Sequence, residues 1–197
     1  MVVEARSAKT IALADEKSAP FWRALGTVNH GCILALTGKA EDAVHIISSG
    51  IAAWRSTAAT MFLPMWLTHL AAAYADLGQL DDALRCIGDA KSAVETTGER
   101  WCEAEVYRVT GEIALTAPKR DALKAGTHFE RALAVARTQQ AKSWELRAAM
   151  SMARLWRSQG KVRQARELLA PVYGRFTEGF DTRDLKEAKA LRDELHA

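Results

Sequence analysis

The chain has 197 residues, of which 49% are hydrophobic and 26% are charged, and its formal net charge is +3 at pH 7. This balance is typical of a folded globular protein and excludes a disordered chain, and no apolar run approaches the roughly 18 residues of a membrane span. Because residues 1–6 lack a basic, apolar leader and the three cysteines are scattered, we expect a cytoplasmic protein with reduced, buried thiols.

The predicted elements are helices throughout, because Ala, Leu, Arg and Glu dominate and only four prolines interrupt them. Ten antiparallel helices and no strand are expected, within a single domain at 1–197. In chain order the parts are a half repeat at 1–19, helix pairs at 20–58, 61–98, 100–139 and 141–178, and a capping helix at 181–197. Asp181 or Thr182 is the expected N-cap of the last helix.

One turn-plus-helix pattern recurs along these pairs. The segment Gly38-Lys39-Ala40-Glu41-Asp42-Ala43 is matched at 78–83 and at 160–165. A weaker copy occupies 121–125, where Pro118 stands near the expected glycine. The equivalent alanines, in steps of 40, 42 and 40 residues, are Ala43, Ala83, Ala125 and Ala165.

The residues around each turn suit a close helix crossing. Glycine adopts the left-handed backbone that ends the first helix, and a small residue on each helix lets the two approach. The small residues on the first helices are Gly31, Ala71, Gly111 and Ala153. The apolar residues four positions after each alanine share its helix face and are predicted core: Ile47, Ile87, Phe129 and Leu169.

The second pair carries the most complete version of this pattern. Leu70-Ala71-x-x-Tyr74-x-x-x-Gly78, followed by Ala83, Ile87 and Ala90, resembles the tetratricopeptide (TPR) repeat. The resemblance implies an all-α fold, a right-handed α-α superhelix or TPR-like solenoid. The period of 40–42 residues is longer than the family's standard of about 34, so each hairpin is expected to be longer too.

Two later segments, 141–149 and 170–188, are similar to the C-terminal region of bacterial multidomain signalling proteins. Those proteins carry an adenylate/guanylate cyclase or winged-helix DNA-binding domain, then a P-loop ATPase, then a helical region. The resemblance implies a C-terminal regulatory or scaffold part of such a protein. It does not imply cyclase or ATPase activity, because the residues for either activity are missing here.

Motifs for chemistry are missing. Gly174 and Gly179 have the spacing of a phosphate-binding loop, but Phe180 stands where the lysine should be. His30 and His69 could pair across neighbouring repeats and hold a metal, although hydrogen-bonded core histidines are the favoured interpretation. We therefore predict no enzyme activity, no catalytic residue, no metal and no cofactor.

The six tryptophans have two interpretations. Packing between neighbouring hairpins is favoured, since Trp22 and Trp144 lie at matching positions of their pairs. Trp54 and the apolar run 61–66 fit the repeat less well, and two of these large side chains could be exposed. The alternative interpretation is an apolar docking patch.

In TPR proteins the first helices line a groove, and the resemblance lets this groove be projected onto the sequence. The predicted partner-binding residues are Met65, Arg108, Glu112, Arg147, Met150, Arg154 and Arg157. Other groove-facing positions are Leu25, Val28, Cys32, Thr68, Ala72 and Glu105. Residues 137–175 hold nine Lys or Arg against two Asp or Glu, which favours an anionic partner.

The predicted function is a non-catalytic scaffold that binds a protein or peptide, with an acidic partner favoured by the basic stripe. The upstream domains of the same polypeptide are an alternative partner, and a homodimer through the end repeats is plausible. Nucleic acid and membranes are not expected partners. The alternative function is a small-ligand-sensing module that controls an attached cyclase or ATPase.

Overall fold

The structure is a computed structural model that describes residues 2–116 and 121–196, with side chains from residue 5 onward. Over these residues the chain forms ten α-helices and no strand, which confirms the all-α prediction. The helices are α1 (Val2–Glu16), α2 (Pro20–Leu36), α3 (Ala40–Ser56), α4 (Leu63–Asp76), α5 (Leu80–Thr97), α6 (Glu103–Thr116), α7 (Ala122–Thr138), α8 (Lys142–Ser158), α9 (Val162–Tyr173) and α10 (Arg183–Glu194).

The chain divides into two compact units. The N-terminal unit, Met1–Arg100, contains α1–α5, and the C-terminal unit, Trp101–Ala197, contains α6–α10. In both units each first helix of a hairpin packs on the second helix that follows it. The division into a half repeat, four pairs and a cap within one domain stays a prediction.

The turns form as the sequence pattern predicts. The glycines that end the first helices have positive φ values of 78° at Gly38, 74° at Gly78 and 75° at Gly160. Residues with a Cβ rarely adopt this left-handed backbone conformation. Pro118, in the weaker copy of the turn, lies outside the described residues. The N-cap of α10 is Thr182, with extended backbone, as expected.

Helix α4 begins two residues later than predicted. Phe62 precedes it with a left-handed φ of 65°, and Pro64 lies in its first turn, where a missing N–H costs nothing. The N–H of Phe62 donates to Glu99 Oε2 at 2.8 Å, which ties the start of α4 to the segment after α5.

The helices of each hairpin cross at very short range. A Cβ on Gly31 of α2 would lie 2.6 Å from Ile47 Cγ1, and one on Gly111 of α6 would lie 2.4 Å from Phe129 Cε1. The equivalent alanines are fully buried: Ala43, Ala83, Ala125 and Ala165. The close crossing inferred from small residues is therefore present in both units.

The three cysteines form no disulfide and are buried in the core. Burial raises the pKa of the Cys32 thiol to about 12 and that of Cys86 to about 11, so both stay protonated at neutral pH. They behave as small apolar side chains.

The first helices of successive hairpins lie side by side within each unit. In the N-terminal unit α2 packs beside α4, and in the C-terminal unit α6 packs beside α8 and α8 beside α10. Helix α10 thus takes the place that the first helix of a further hairpin would have. These helices carry the predicted groove residues.

Candidate functional site

A buried carboxylate lies between two first helices of the C-terminal unit. Glu105 of α6 is only 3% exposed. It accepts two hydrogen bonds from Arg108, from Nε at 2.8 Å and Nη2 at 2.9 Å, and a third from Arg147 Nη1 of α8 at 3.2 Å. A bidentate charge-assisted pair of this kind fixes the geometry of the side chains that form it.

Two more groups complete this network. Arg108 Nη1 also donates to Glu112 Oε1 at 3.2 Å and to Ser151 Oγ at 3.3 Å, and the Ser151 hydroxyl donates to Glu112 Oε1 at 2.6 Å. Burial would lower the pKa of the Arg108 and Arg147 guanidinium groups, but the carboxylates around them, Glu105 first, hold each pKa above its ordinary value. Both arginines are therefore charged and committed to partners within the unit.

A second set of ion pairs joins α8 to α10. We call Arg147, Arg154 and Arg157 the arginine row, and Asp184, Glu187 and Glu194 the acid row. Arg147 Nε donates to Asp184 Oδ2 at 2.6 Å, Arg154 Nη2 donates to Glu187 Oε2 at 3.3 Å, and Arg157 donates to Glu194. The pairs run in the same order along both helices, so α8 and α10 are parallel.

A second buried carboxylate, Glu145 at the start of α8, has two arginine partners. Arg137 Nε of α7 donates to it at 2.9 Å, and Arg175, which follows α9, also donates to it. Burial would raise the pKa of Glu145, but these hydrogen bonds outweigh burial and hold the pKa below its ordinary value. Glu145 therefore links the ends of three helices as a charged group.

The structure places the predicted partner-binding residues at very different depths. Arg154 and Arg157 are 44% and 43% exposed, and Glu112 is 41% exposed. Arg108 and Arg147 are mostly buried in the network around Glu105. Met150 is 3% exposed and packs in the core of the C-terminal unit, while Met65 is half-buried in the N-terminal unit. Their roles in partner binding stay predictions.

The acid row was not predicted from the sequence. The sequence does show that each row lies on one helix face, because Asp184, Glu187 and Glu194 are spaced by three and seven residues and the members of the arginine row by seven and three. Pairing the two rows needed the knowledge that α10 lies parallel to α8, which no local pattern supplies.

The corresponding face of the N-terminal unit carries apolar side chains. Leu25 and Met65 are half-buried, whereas Val28 and Thr68 of the projected groove are fully buried. The large exposed side chains of the N-terminal unit include Leu13 at 54%, Trp22 at 55%, Leu36 at 47%, Met61 at 48% and Phe62 at 36%.

The tryptophans show both behaviours that the sequence left open. Trp54 and Trp66 are buried and meet edge to face, with ring centroids 5.0 Å apart. Phe21 lies between Trp54 and the exposed Trp22, and Phe62 lies against Trp66. Packing accounts for the inner rings, while the outer ones leave an exposed aromatic surface.

The histidines, the acidic residues and the apolar helices were compared with the requirements of a metal site and of a membrane span. His30 Nδ1 lies 3.3 Å from the Ser7 hydroxyl, so the expected hydrogen bond is present, but His30 is half-buried and not part of the core. Among the described side chains, no three His, Cys, Asp or Glu residues are placed to hold a metal ion. None of the described helices combines the length and apolarity needed to cross a bilayer.

Comparison with solved structures identifies the architecture. The TPR-like repeats of a Podosopora anserina protein described as a kinesin light chain superpose with a TM-score of 0.59 at 15% identity, covering 88% of this chain and 85% of that one. The chain has a TPR-like helical repeat fold. A Q-to-M variant of the same protein gives a TM-score of 0.60 with the same identity and coverage.

At 15% identity this TPR-like likeness shows the fold alone. No family model matches the chain, and no curated protein matches it either.

Proposed function

We propose that this TPR-like chain is a non-catalytic scaffold that binds a helix or peptide of a partner protein. The observation that carries the proposal is the side-by-side packing of first helices in each unit, on a repeat fold shared with known TPR-like proteins. Stacked hairpins of this kind present an extended surface made of many short elements, which suits protein binding.

The surfaces we propose for binding follow from exposure. In the C-terminal unit the accessible members are Glu112, Arg154 and Arg157, with Arg108, Arg147 and Met150 supporting them from below. In the N-terminal unit Met65 contributes an apolar surface. A protein or peptide with carboxylates would fit the surface of the C-terminal unit, and one with apolar side chains would fit that of the N-terminal unit. Neither nucleic acid nor a membrane is proposed as a partner.

We further propose a cytoplasmic signalling context. The similarity of 141–149 and 170–188 to the C-terminal region of bacterial cyclase, ATPase or winged-helix regulators supports it. In that context the partner would be another protein or the upstream domains of the same polypeptide. A homodimer through an end repeat is a further form of the same binding function.

The proposal is tested by affinity capture with the purified chain as bait. We expect Arg154→Gln/Arg157→Gln to lose most of a partner that binds the C-terminal unit, because both arginines are accessible and charged. Arg163→Gln is the matched control, since Arg163 is 86% exposed on α9 and outside the arginine row. Capture that is unchanged by the double substitution would refute the assignment of this surface.

A second candidate function, small-ligand sensing, is favoured by an apolar cleft between α1 and α2. The cleft has a volume of about 290 Å³ and is lined by Thr10, Leu13, Ala14, Lys17, Ala19 and Trp22. A thermal-shift screen separates the two functions, because a metabolite that stabilises the chain favours sensing. Trp22→Ala should abolish that stabilisation if the cleft is the site.

A further inference from the structure

Three of the four carboxylates of α10 pair with α8. The helix carries four acidic and four basic residues. Three of the acids form the acid row and pair with α8, while the fourth, Asp193, bonds to Lys189 and Arg192 of α10 itself. Lys186 and Lys189 are exposed. Glu187 also accepts a hydrogen bond from Arg183 Nε of α10 at 2.7 Å. Helix α10 thus presents three of its four carboxylates to the arginine row and exposes both lysines to solvent.

Apolar residues accompany the acid row on the same side of the helix. Leu185, Ala188, Leu191 and Leu195 are buried in the core cluster of the C-terminal unit. Counted from Asp184, carboxylates occupy the first, fourth and eleventh positions and apolar residues the second, fifth, eighth and twelfth. This is the arrangement of an amphipathic helix bound in a groove.

Helix α10 is also the element of the unit best placed to detach. Among the described helices it packs on α8 and α9 alone, as an end element of a repeat array does. It is joined to α9 by residues 174–182, which contain turns and bends and no α-helix. End elements open at lower free energy than central ones, and the half-exposed pairs of Arg154 and Arg157 exchange readily with other carboxylates.

We infer that the surface of α8 and α9 beneath α10 is a binding site for an acidic amphipathic helix of a partner protein, and that α10 is its internal competitor. The occupant is defined by the spacing of α10 itself, with carboxylates that meet Arg147, Arg154 and Arg157. Binding of the partner displaces α10. This inference rests on the proposed protein-binding function and adds the site and the kind of helix that fills it.

The test uses a fluorescently labelled peptide of residues 181–196 and the full chain. A loosened variant, Asp184→Asn/Glu187→Gln/Leu191→Ala, weakens the packing of α10 on α8 and α9. It should bind the peptide about tenfold more tightly than the natural chain, because α10 then occupies the binding site for a smaller fraction of the time. Adding Arg154→Gln/Arg157→Gln to the loosened variant should remove that gain. Circular dichroism checks that the other helices are retained.

The matched control is Lys186→Gln/Lys189→Gln, which alters the exposed face of α10 and should leave peptide affinity unchanged. Equal affinities for the natural chain and the loosened variant, or tight binding that survives loss of Arg154 and Arg157, would overturn the inference.

Hydrogen exchange of the natural chain provides a second test of the inference, one that needs no substitution. The inference predicts that amides of α10 exchange at least about tenfold faster than those of α8. Equal protection of the two helices would refute displacement. Capture of a partner that is lost in Met65→Ala but kept in Arg154→Gln/Arg157→Gln would leave the scaffold function standing without this site, so the two proposals fail separately.

Discussion

The first helices can be aligned on the small residue at each crossing, which is Ala71, Gly111 or Ala153. In this alignment Met65 of the N-terminal unit occupies the same repeat position as Glu105 and Arg147 of the C-terminal unit. Ala72 likewise corresponds to Glu112 and Arg154. The same backbone positions therefore carry apolar groups in one unit and a network of ion pairs in the other. The repeat sets where these side chains lie, while the residue type sets what the face can bind.

The two faces differ in whether their side chains have partners within the same unit. In the C-terminal unit, carboxylates from the same unit pair with each member of the arginine row, and the acid row supplies them. In the N-terminal unit, Trp22 and Leu36 remain about half exposed on α2. A basic sequence stripe is therefore a poor measure of available charge, because pairing within the fold consumes much of it.

The largest expected effect is at the buried carboxylate. Glu105→Ala leaves Arg108 and Arg147 without their shared partner and should lower the free energy of unfolding by about 3–5 kcal/mol. Urea unfolding followed by circular dichroism measures it. Met65→Ala, at the equivalent position, should cost less, because Met65 is only half-buried. A cost for Glu105→Ala no greater than that for Met65→Ala would contradict the contrast between the faces.

The helix crossings should respond alike in both units. Gly111→Ala places a Cβ 2.4 Å from Phe129 Cε1 and should cost about 2 kcal/mol of unfolding free energy through overpacking. Gly31→Ala should behave similarly, since its Cβ would lie 2.9 Å from the backbone nitrogen of Ile47.

Gly126→Ala is the control for both crossings, because its Cβ would meet only Leu155 Cδ2, at 3.8 Å. It should be neutral or stabilising by up to about 1 kcal/mol through helix propensity. If the three substitutions gave the same change in thermal unfolding, close crossing would not be what selects small residues here.

A smaller effect concerns pH. The pKa of Glu145 is lower in the folded chain than in the unfolded one, so its contribution to stability is present above its ordinary value and is lost as the pH falls through the folded value. Between about pH 6 and about pH 3 the natural chain should lose more unfolding free energy than Glu145→Gln. Parallel pH profiles for the two proteins would show that Glu145 titrates normally.

Much of the fold could be predicted from the sequence, because its determinants are local. Gly78 ends a helix, Ala83 permits a crossing, and Ile87 fills the space behind it, all within one stretch of ten residues. The division into two units could not be predicted in this way, because the helix pattern continues unchanged past Arg100.

The candidate site was only partly predictable. The repeat alignment located Arg154 and Arg157 on the face of α8, and both are accessible. It also included Met150, which is buried, as are Val28 and Thr68 at the equivalent position three residues before the small residue. The groove projected from the family therefore assigned a core position of these pairs to the surface. The partners of the arginines lie 33 and 37 residues away, beyond the range of any helical spacing rule.

The claim that ion pairs hold α10 against α8 is tested most directly by reversing the charges of the paired residues on both helices. Arg154→Glu/Arg157→Glu alone and Glu187→Arg/Glu194→Arg alone should each lower the unfolding free energy by about 1 kcal/mol, since each places like charges opposite one another. The chain carrying all four changes should recover most of that loss, with a coupling energy of about 2 kcal/mol in a double-mutant cycle. Strictly additive losses would contradict the pairing of the arginine row with the acid row.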